Sequence, residues 1–254
     1  MDMAFRDRFL QLWSKHFDGA DLPVCFYYTD NPPLKPLPAP KAQVCVMGQL
    51  ARAFRGESLC FDGDSLGCFG GKRYLGFSHS LRPAFEYFLS YGIPGKMEGE
   101  RYKKTPEIVL ELIKNQQEFR APARCIVFKR WDQLTADDEP EVVIFFALPD
   151  VLSGLFTLSG FEETDPNAVI APFAAGCGTI VQHPYLQKDQ LRPKCVLGMF
   201  DVSARPLVPP DTLSFAVPMK KFRGMVEDMD ESFLITESWA KVRRRLSARA
   251  GIGP

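Results

Sequence analysis

Apolar residues along this chain follow two rhythms, one near 3.6 residues and one of short continuous or alternating runs, and their succession lays out the elements. Phe5, Phe9, Leu10, Leu12 and Trp13 share one helical face, predicting a docking helix over 5–17. Val24 to Tyr28 is a β-branched and aromatic run that predicts a strand, and the five prolines between Thr29 and Pro40 predict an extended loop after it. Val44 to Phe54 ends in helix formers before Gly56, which predicts a helix over 45–55 carrying Cys45. Helices are also expected over 82–91, closed by Gly92, and over 106–119. In the second of these Thr105 is the cap, Pro106 the first residue, and Ile108, Val109, Leu112 and Ile113 the buried side.

In the second half, strands are expected over 124–128, 142–148, 195–202 and 213–217. Helices are expected from Asp150 as cap to Phe161, over 166–182 with Pro172 inside and Pro184 as the stop, over 220–229, and over 236–249. The pattern gives an α+β fold, a mixed or antiparallel sheet covered by helices, since the short spacing within 124–148 argues against a purely parallel sheet.

Composition narrows the function classes. Of the 254 residues 46% are hydrophobic and 24% charged, ordinary globular material for a single domain. Thirty-one basic residues balance thirty-one acidic ones, so no global field draws the chain to nucleic acid or to an anionic membrane. No apolar run approaches the roughly 20 residues of a membrane span, and the N-terminal segment lacks the apolar core of a signal peptide. A cytoplasmic protein is expected, with oligomeric state left open.

Candidate chemistry centres on cysteine and glycine. Seven cysteines are an odd number in a chain too large to need disulfide staples, which favours reduced thiols or ligands. Cys45, Cys60, Cys68, Cys177 and Cys195 are the candidate ligands of zinc or an iron–sulfur cluster, although no C-x-x-C pair is present. Buried free cysteine is also an ordinary small hydrophobe. Gly67, Gly70 and Gly71, followed by Lys72 and Arg73, offer bare amides and two cations, the chemistry of an anion-binding nest for a small anionic ligand. Cys68 or Cys177 with His79 or His183 as base is a candidate nucleophile. The basic terminal residues Lys241, Arg243, Arg244, Arg245 and Arg249 read as cations opposing a helix dipole.

A weak internal echo runs through the order of events. A strand, a helix with Cys45 and then Cys68-Phe-Gly-Gly is answered by a strand, a helix with Cys177 and then Cys195-Val-Leu-Gly. If halves 1–120 and 121–254 are a diverged duplication, pairing them would draw Cys45, Cys68, Cys177 and Cys195 to one interface.

Cys45 opening an Ala-containing helix, then Cys60, Cys68-x-Gly-Gly-x-x-x-Leu-Gly-Phe, Gly176-Cys177 and Cys195-x-x-Gly-Met form an ordered set. This set resembles the bacterial and archaeal family catalogued as domain of unknown function number one hundred and sixty-nine, from about Phe9 to Phe233. The resemblance implies a prokaryotic cytosolic protein and supplies no catalytic residues. The leading expectation is therefore a protein that binds a metal or iron–sulfur cofactor, or a small anionic ligand, where the Cys45, Cys68 and Cys177 segments meet. The alternatives are a cysteine-dependent enzyme, and a non-catalytic interaction protein using the proline loop and the basic terminal helix.

Overall fold

Strands that are apolar on both faces need helices on both sides, and this chain supplies them. The computed structural model describes residues 1–250, with side chains through Ala248. The elements run α1 (Met3–His16), β1 (Val24–Thr29), α2 (Val46–Phe54), β2 (Leu59–Phe61), α3 (Phe69–Tyr74), α4 (Phe85–Leu89), β3 (Gly92–Ile93), β4 (Met97–Glu98) and α5 (Pro106–Asn115). They continue with β5 (Cys125–Arg130), β6 (Val142–Ala147), α6 (Pro149–Ser159), β7 (Val169–Ile170), α7 (His183–Gln187), β8 (Cys195–Gly198), β9 (Leu213–Pro218), α8 (Met219–Glu227) and α9 (Glu237–Ala250). The fold is α+β.

Seven strands form one sheet in the order β2-β5-β1-β6-β9-β8-β7. Every neighbouring pair is antiparallel except β7–β8, so the sheet is mixed. The strands expected near 124–128 and 142–148 do not pair with each other. β1 lies between them, antiparallel to both, with Phe26 opposite Phe128 on one side and Val142 on the other. The two halves thus share a single sheet, with β5 of the second half inserted between β2 and β1 of the first.

Side-chain parity divides the core, because successive residues of a strand point to opposite faces. Val24, Phe26, Ile126, Phe128, Ile144 and Val196 join the core beneath α2 and α3. On the other face Cys25, Val143, Phe145, Cys195, Phe215 and Val217 pack against α1, α6, α8 and α9. There Phe9 meets the ring of Trp131 edge-on at 5.0 Å, and Trp13 stacks on Phe17 at 4.3 Å. At the β2 end of this second face, Tyr27, Cys60, Cys125 and Val127 form a small cluster covered by Leu34 of the proline loop. Leu37 of that loop donates its N–H to the carbonyl of Cys60 at 2.9 Å.

Departures from the sequence pattern have local causes. The segment expected as a helix over 166–182 is extended through β7 and irregular past Pro172, and helix begins only at Gly176. It then continues through Pro184 rather than stopping there, by widening to a π-helical turn over Gly178–Gln182. The wider turn accommodates a residue that has no N–H and crowds the carbonyl four back. Asp150 does not cap α6. Leu148 occupies the cap, Pro149 the first turn, and Asp150 pairs with Arg245 of α9. The helix expected over 82–91 shrinks to α4, entered through Ala84 at φ 54°. Thr105 caps α5 as expected, accepting from the N–H of Ile108. Of its expected buried side, however, Val109 is buried while Ile108 is exposed. The basic face of α9 is described only as far as its side chains extend, so Arg249 lies outside the described side chains.

Candidate functional site

Three of the cysteines are brought to one place by glycines. A Cβ on Gly67 would stand 2.8 Å from Cγ of Pro40 and 2.9 Å from the backbone nitrogen of Val44. No side chain fits there, so the loop before α2 lies directly on the loop before α3, with Cys45 following Val44 and Cys68 following Gly67. Each of these two cysteines is the N-cap of its helix. Gly178 admits Tyr74 of α3, whose Cδ1 would be 3.1 Å from an added Cβ, and this seats the helix that follows Cys177 against α3. Gly198 on β8 does the same from beneath, since a Cβ there would fall 2.2 Å from Oγ1 of Thr179.

Cys68 is the electrostatic centre of the arrangement. The thiol of Cys45 donates to its sulfur, and this hydrogen bond is the largest influence holding Cys68 below an ordinary thiol, at about 6. Partial burial opposes the shift, and the backbone N–H groups of Gly71 and Val46 support it. The Gly71 N–H reaches Sγ at 3.1 Å. Donors aimed at a sulfur favour its anionic form, as a helix N-terminus does. Cys45 is pushed up, first because its proton is held by Cys68 and then by burial. Cys177 is also pushed up, by burial first and by the neighbouring Cys68 charge second. The surroundings thus favour the anionic form at Cys68 and the protonated form at Cys45.

These sulfurs border a cavity of about 510 Å³. That is within the usual range of roughly 300–1,000 Å³ for small-molecule sites. One wall comes from α3 and the start of the helix after Gly176. The opposite wall is the excursion that carries α4 and α5, including Phe85, Phe88, Tyr102 and Leu112. The third wall is the segment after β8, Phe200 to Ser203. Its Asp201 accepts from the N–H of Gly176 at 3.0 Å and from the hydroxyl of Ser203 at 2.8 Å, tying this wall to the Cys177 helix. The lining is mainly apolar. Its cations are Arg73, which gives one N–H to the carbonyl of His79 at 2.8 Å, and Arg82, whose guanidinium lies 4.2 Å from the ring centre of Phe88. Among the described residues, the non-glycine residues with positive φ, Ala84, Arg101 and Met199, all fall at the joints of these walls. Such backbone persists only where its surroundings enforce it, and it gathers at functional sites.

Among the candidate metal ligands, Cys45, Cys68 and Cys177 line the cavity, but Cys60 and Cys195 do not. Both are strand residues whose parity turns them to the opposite face of the sheet, where each is fully buried in an apolar cluster. The five-thiol set is therefore not assembled, and Cys195 does not join Cys45, Cys68 and Cys177 at the common interface that pairing of the halves would draw them to. Among the described residues no group of three or more His, Cys, Asp or Glu side chains is gathered to hold a metal ion. Of the candidate anion nest, Gly70, Gly71 and Arg73 line the cavity, whereas Gly67 is sealed against the preceding loop and Lys72 stands outside. The Gly71 amide is already engaged by the Cys68 sulfur, so it is not free for an external anion. Neither candidate base reaches the sulfurs. His79 faces Glu118 at 3.2 Å, and among the described residues no histidine lines the cavity. The wall residues Asp201, Arg82 and Tyr102 carried no site signal in the sequence: Arg82 and Asp201 fall at the ends of segments expected as a helix and a strand, and Tyr102 in a segment without periodicity.

Residues 16–228 match the family DUF169, described as uncharacterised ArCR. This chain belongs to that family. The matched segment contains the whole cavity, from Gln43 to Ser203, so the site is built from the family's own domain and not from an appendage. No curated protein and no solved structure matches the chain. Among the described residues no helix is long and apolar enough to cross a membrane.

Proposed function

We propose that this DUF169 protein is a cysteine-dependent enzyme that admits a small, largely apolar molecule and attacks an electrophilic centre on it with the Cys68 thiolate. The observation that carries the reading is a sulfur on a cavity wall that receives the Cys45 thiol and the backbone amides of Gly71 and Val46. A thiolate formed in advance needs no partner base, which fits a cavity without histidine. Arg73 and Arg82 are the cations available to an anionic group on the ligand, so the small-anion expectation survives as part of this reading. A cytoplasmic, prokaryotic setting fits it too, since a reducing compartment keeps a thiolate–thiol pair open.

The test is competitive alkylation with limiting iodoacetamide near neutral pH, followed by peptide mass spectrometry. Cys68 is expected to be modified first. Cys45 and Cys177, whose ionisation is held back, should follow slowly, and the fully buried Cys25, Cys60, Cys125 and Cys195 only on unfolding. Equal rates at Cys68 and Cys45 would overturn the proposal.

A further inference from the structure

The cavity offers a nucleophile, and the phenols on its wall, Tyr74 and Tyr102, are weakened as proton donors because burial holds their ionisation up. Cys68 is backed by hydrogen-bond donors, and among the described residues no histidine borders the space. Expelling an amine or an alkoxide requires a general acid, whereas a thiolate leaves without one near neutral pH. The substrate class that suits this wall is therefore one whose leaving group is a sulfur anion.

A second feature separates disulfides from thioesters. Cys45 neighbours the attacking sulfur itself, as the N-cap of the helix whose leading loop Gly67 seats against the Cys68 loop and on the same cavity wall, the place of a resolving thiol. Acyl transfer has no use for a second thiol there, since the acyl group would pass to water or to another acceptor. Disulfide exchange requires one, because the mixed disulfide is cleared by a thiolate attacking the protein sulfur. The loops are already seated on each other by Gly67, and closure brings the two neighbouring sulfurs to about 2.05 Å.

We propose that the cavity takes a small organic disulfide with an apolar body, and that Cys68 and Cys45 reduce it as a nucleophilic and resolving pair. This rests on the Cys68 reading above. In the first step Cys68 S⁻ bonds to one substrate sulfur, the substrate S–S bond breaks, and one substrate thiolate leaves. In the second step Cys45 gives up its proton to solvent or to the released thiolate, and its sulfur bonds to Sγ of Cys68. The bond between Cys68 and the substrate breaks, and the second substrate thiolate leaves. Two electrons pass from the protein dithiol to the substrate, which becomes two thiols, and the protein ends with a Cys45–Cys68 disulfide. A dithiol reductant resets it.

The test uses the full chain, reduced and freed of reductant, mixed with a slight molar excess of an aromatic disulfide whose released thiolate is coloured. Wild type should release two thiolates per chain in a fast phase and become lighter by two hydrogens, with the new bond mapped to Cys45 and Cys68. Cys45→Ser should release one and retain the aryl adduct on Cys68, and Cys68→Ser should lose the fast phase. Wild type that stops at a stable Cys68 adduct after one thiolate would overturn the resolving role while leaving the Cys68 nucleophile standing. Absence of any fast reaction at Cys68 would overturn both. Circular dichroism of each variant separates lost chemistry from lost fold.

Discussion

Replacing Cys45 with Ala removes the donor that most strongly holds Cys68 in its anionic form, and leaves the amides of Gly71 and Val46 in place. A hydrogen bond to a charged group contributes about 1.5–3 kcal/mol, and one pKa unit corresponds to about 1.36 kcal/mol, so the Cys68 midpoint should climb by ~1–2 units. From about 6 in the wild type, it moves toward the ordinary thiol range. The assay is a pH profile of single-site alkylation at Cys68, read as a midpoint and not as a rate at one pH. With a midpoint raised by ~1.5 units the variant's thiolate becomes about 5-fold more nucleophilic, because reactivity rises with basicity at a Brønsted slope of ~0.4–0.5. At one unit above the wild-type midpoint its thiolate fraction is about 4-fold lower than that of the wild type, so the two effects nearly cancel there. One unit below the wild-type midpoint the variant is about 6-fold slower, and well above both midpoints it overtakes the wild type. The two profiles therefore cross. A Cys45→Ala midpoint unchanged from the wild type, or a wild-type midpoint above 8 where ordinary thiols of about 8.5 begin, would refute the reasoning. The same shift carries a stability sign. Cys68 is depressed on folding, so its contribution is full above the unfolded thiol pKa and is lost as pH falls through about 6; Cys45→Ala should narrow that loss.

Two further perturbations probe the scaffold. Gly198→Ala forces a Cβ to 2.2 Å from Oγ1 of Thr179 and 2.8 Å from Oγ of Ser214, two buried neighbours, so a destabilisation of about 1–3 kcal/mol is expected in urea denaturation. Asp138→Asn should cost about 3–5 kcal/mol in the same measurement, because it strands buried Lys129, now 2.8 Å from the Asp138 carboxylate; Lys129→Met in the same chain should recover much of that loss.

Much of the scaffold was legible because it rests on periodicity. α1, β1, β5, β6, β9, α8 and α9 fall where apolar spacing placed them, and the Thr105-Pro106 start of α5 follows from local hydrogen bonding alone. What failed depended on partners distant in sequence. Strand length and composition could place β5 and β6, but only the tertiary fold inserts β1 between them. Ile108 sits on the apolar stripe of α5, yet α5 belongs to an excursion that walls a cavity instead of packing on the sheet, so it remains exposed. Pro184 reads as a stop by every local rule, and the chain passes it by widening one turn. At the site, the junction of Cys45, Cys68 and Cys177 was legible as clustering with glycine. The meaning of those glycines was not. Gly71 is read from sequence as an amide free for an external anion, and only the cap geometry reveals that the Cys68 sulfur already engages it.

The division of the cysteines is the step that ties fold to function. Cys25, Cys60, Cys125 and Cys195 are strand residues, and the period-2 pleat sends all of them to the face away from the cavity, where α1, α6, α8 and α9 or the proline loop cover them. Cys45 and Cys68 precede helices and Cys177 lies in a first turn, positions where backbone N–H groups lack intrahelical acceptors. The same residue type is therefore inert on one side of the sheet, while on the other Cys68 is activated and its neighbours Cys45 and Cys177 are held back. Composition cannot distinguish the two sets; parity along the strands and position at helix starts can. The chemistry follows from that distinction, since burial among apolar neighbours raises a thiol while converging N–H and S–H donors lower it, and Cys68 is where those donors prevail.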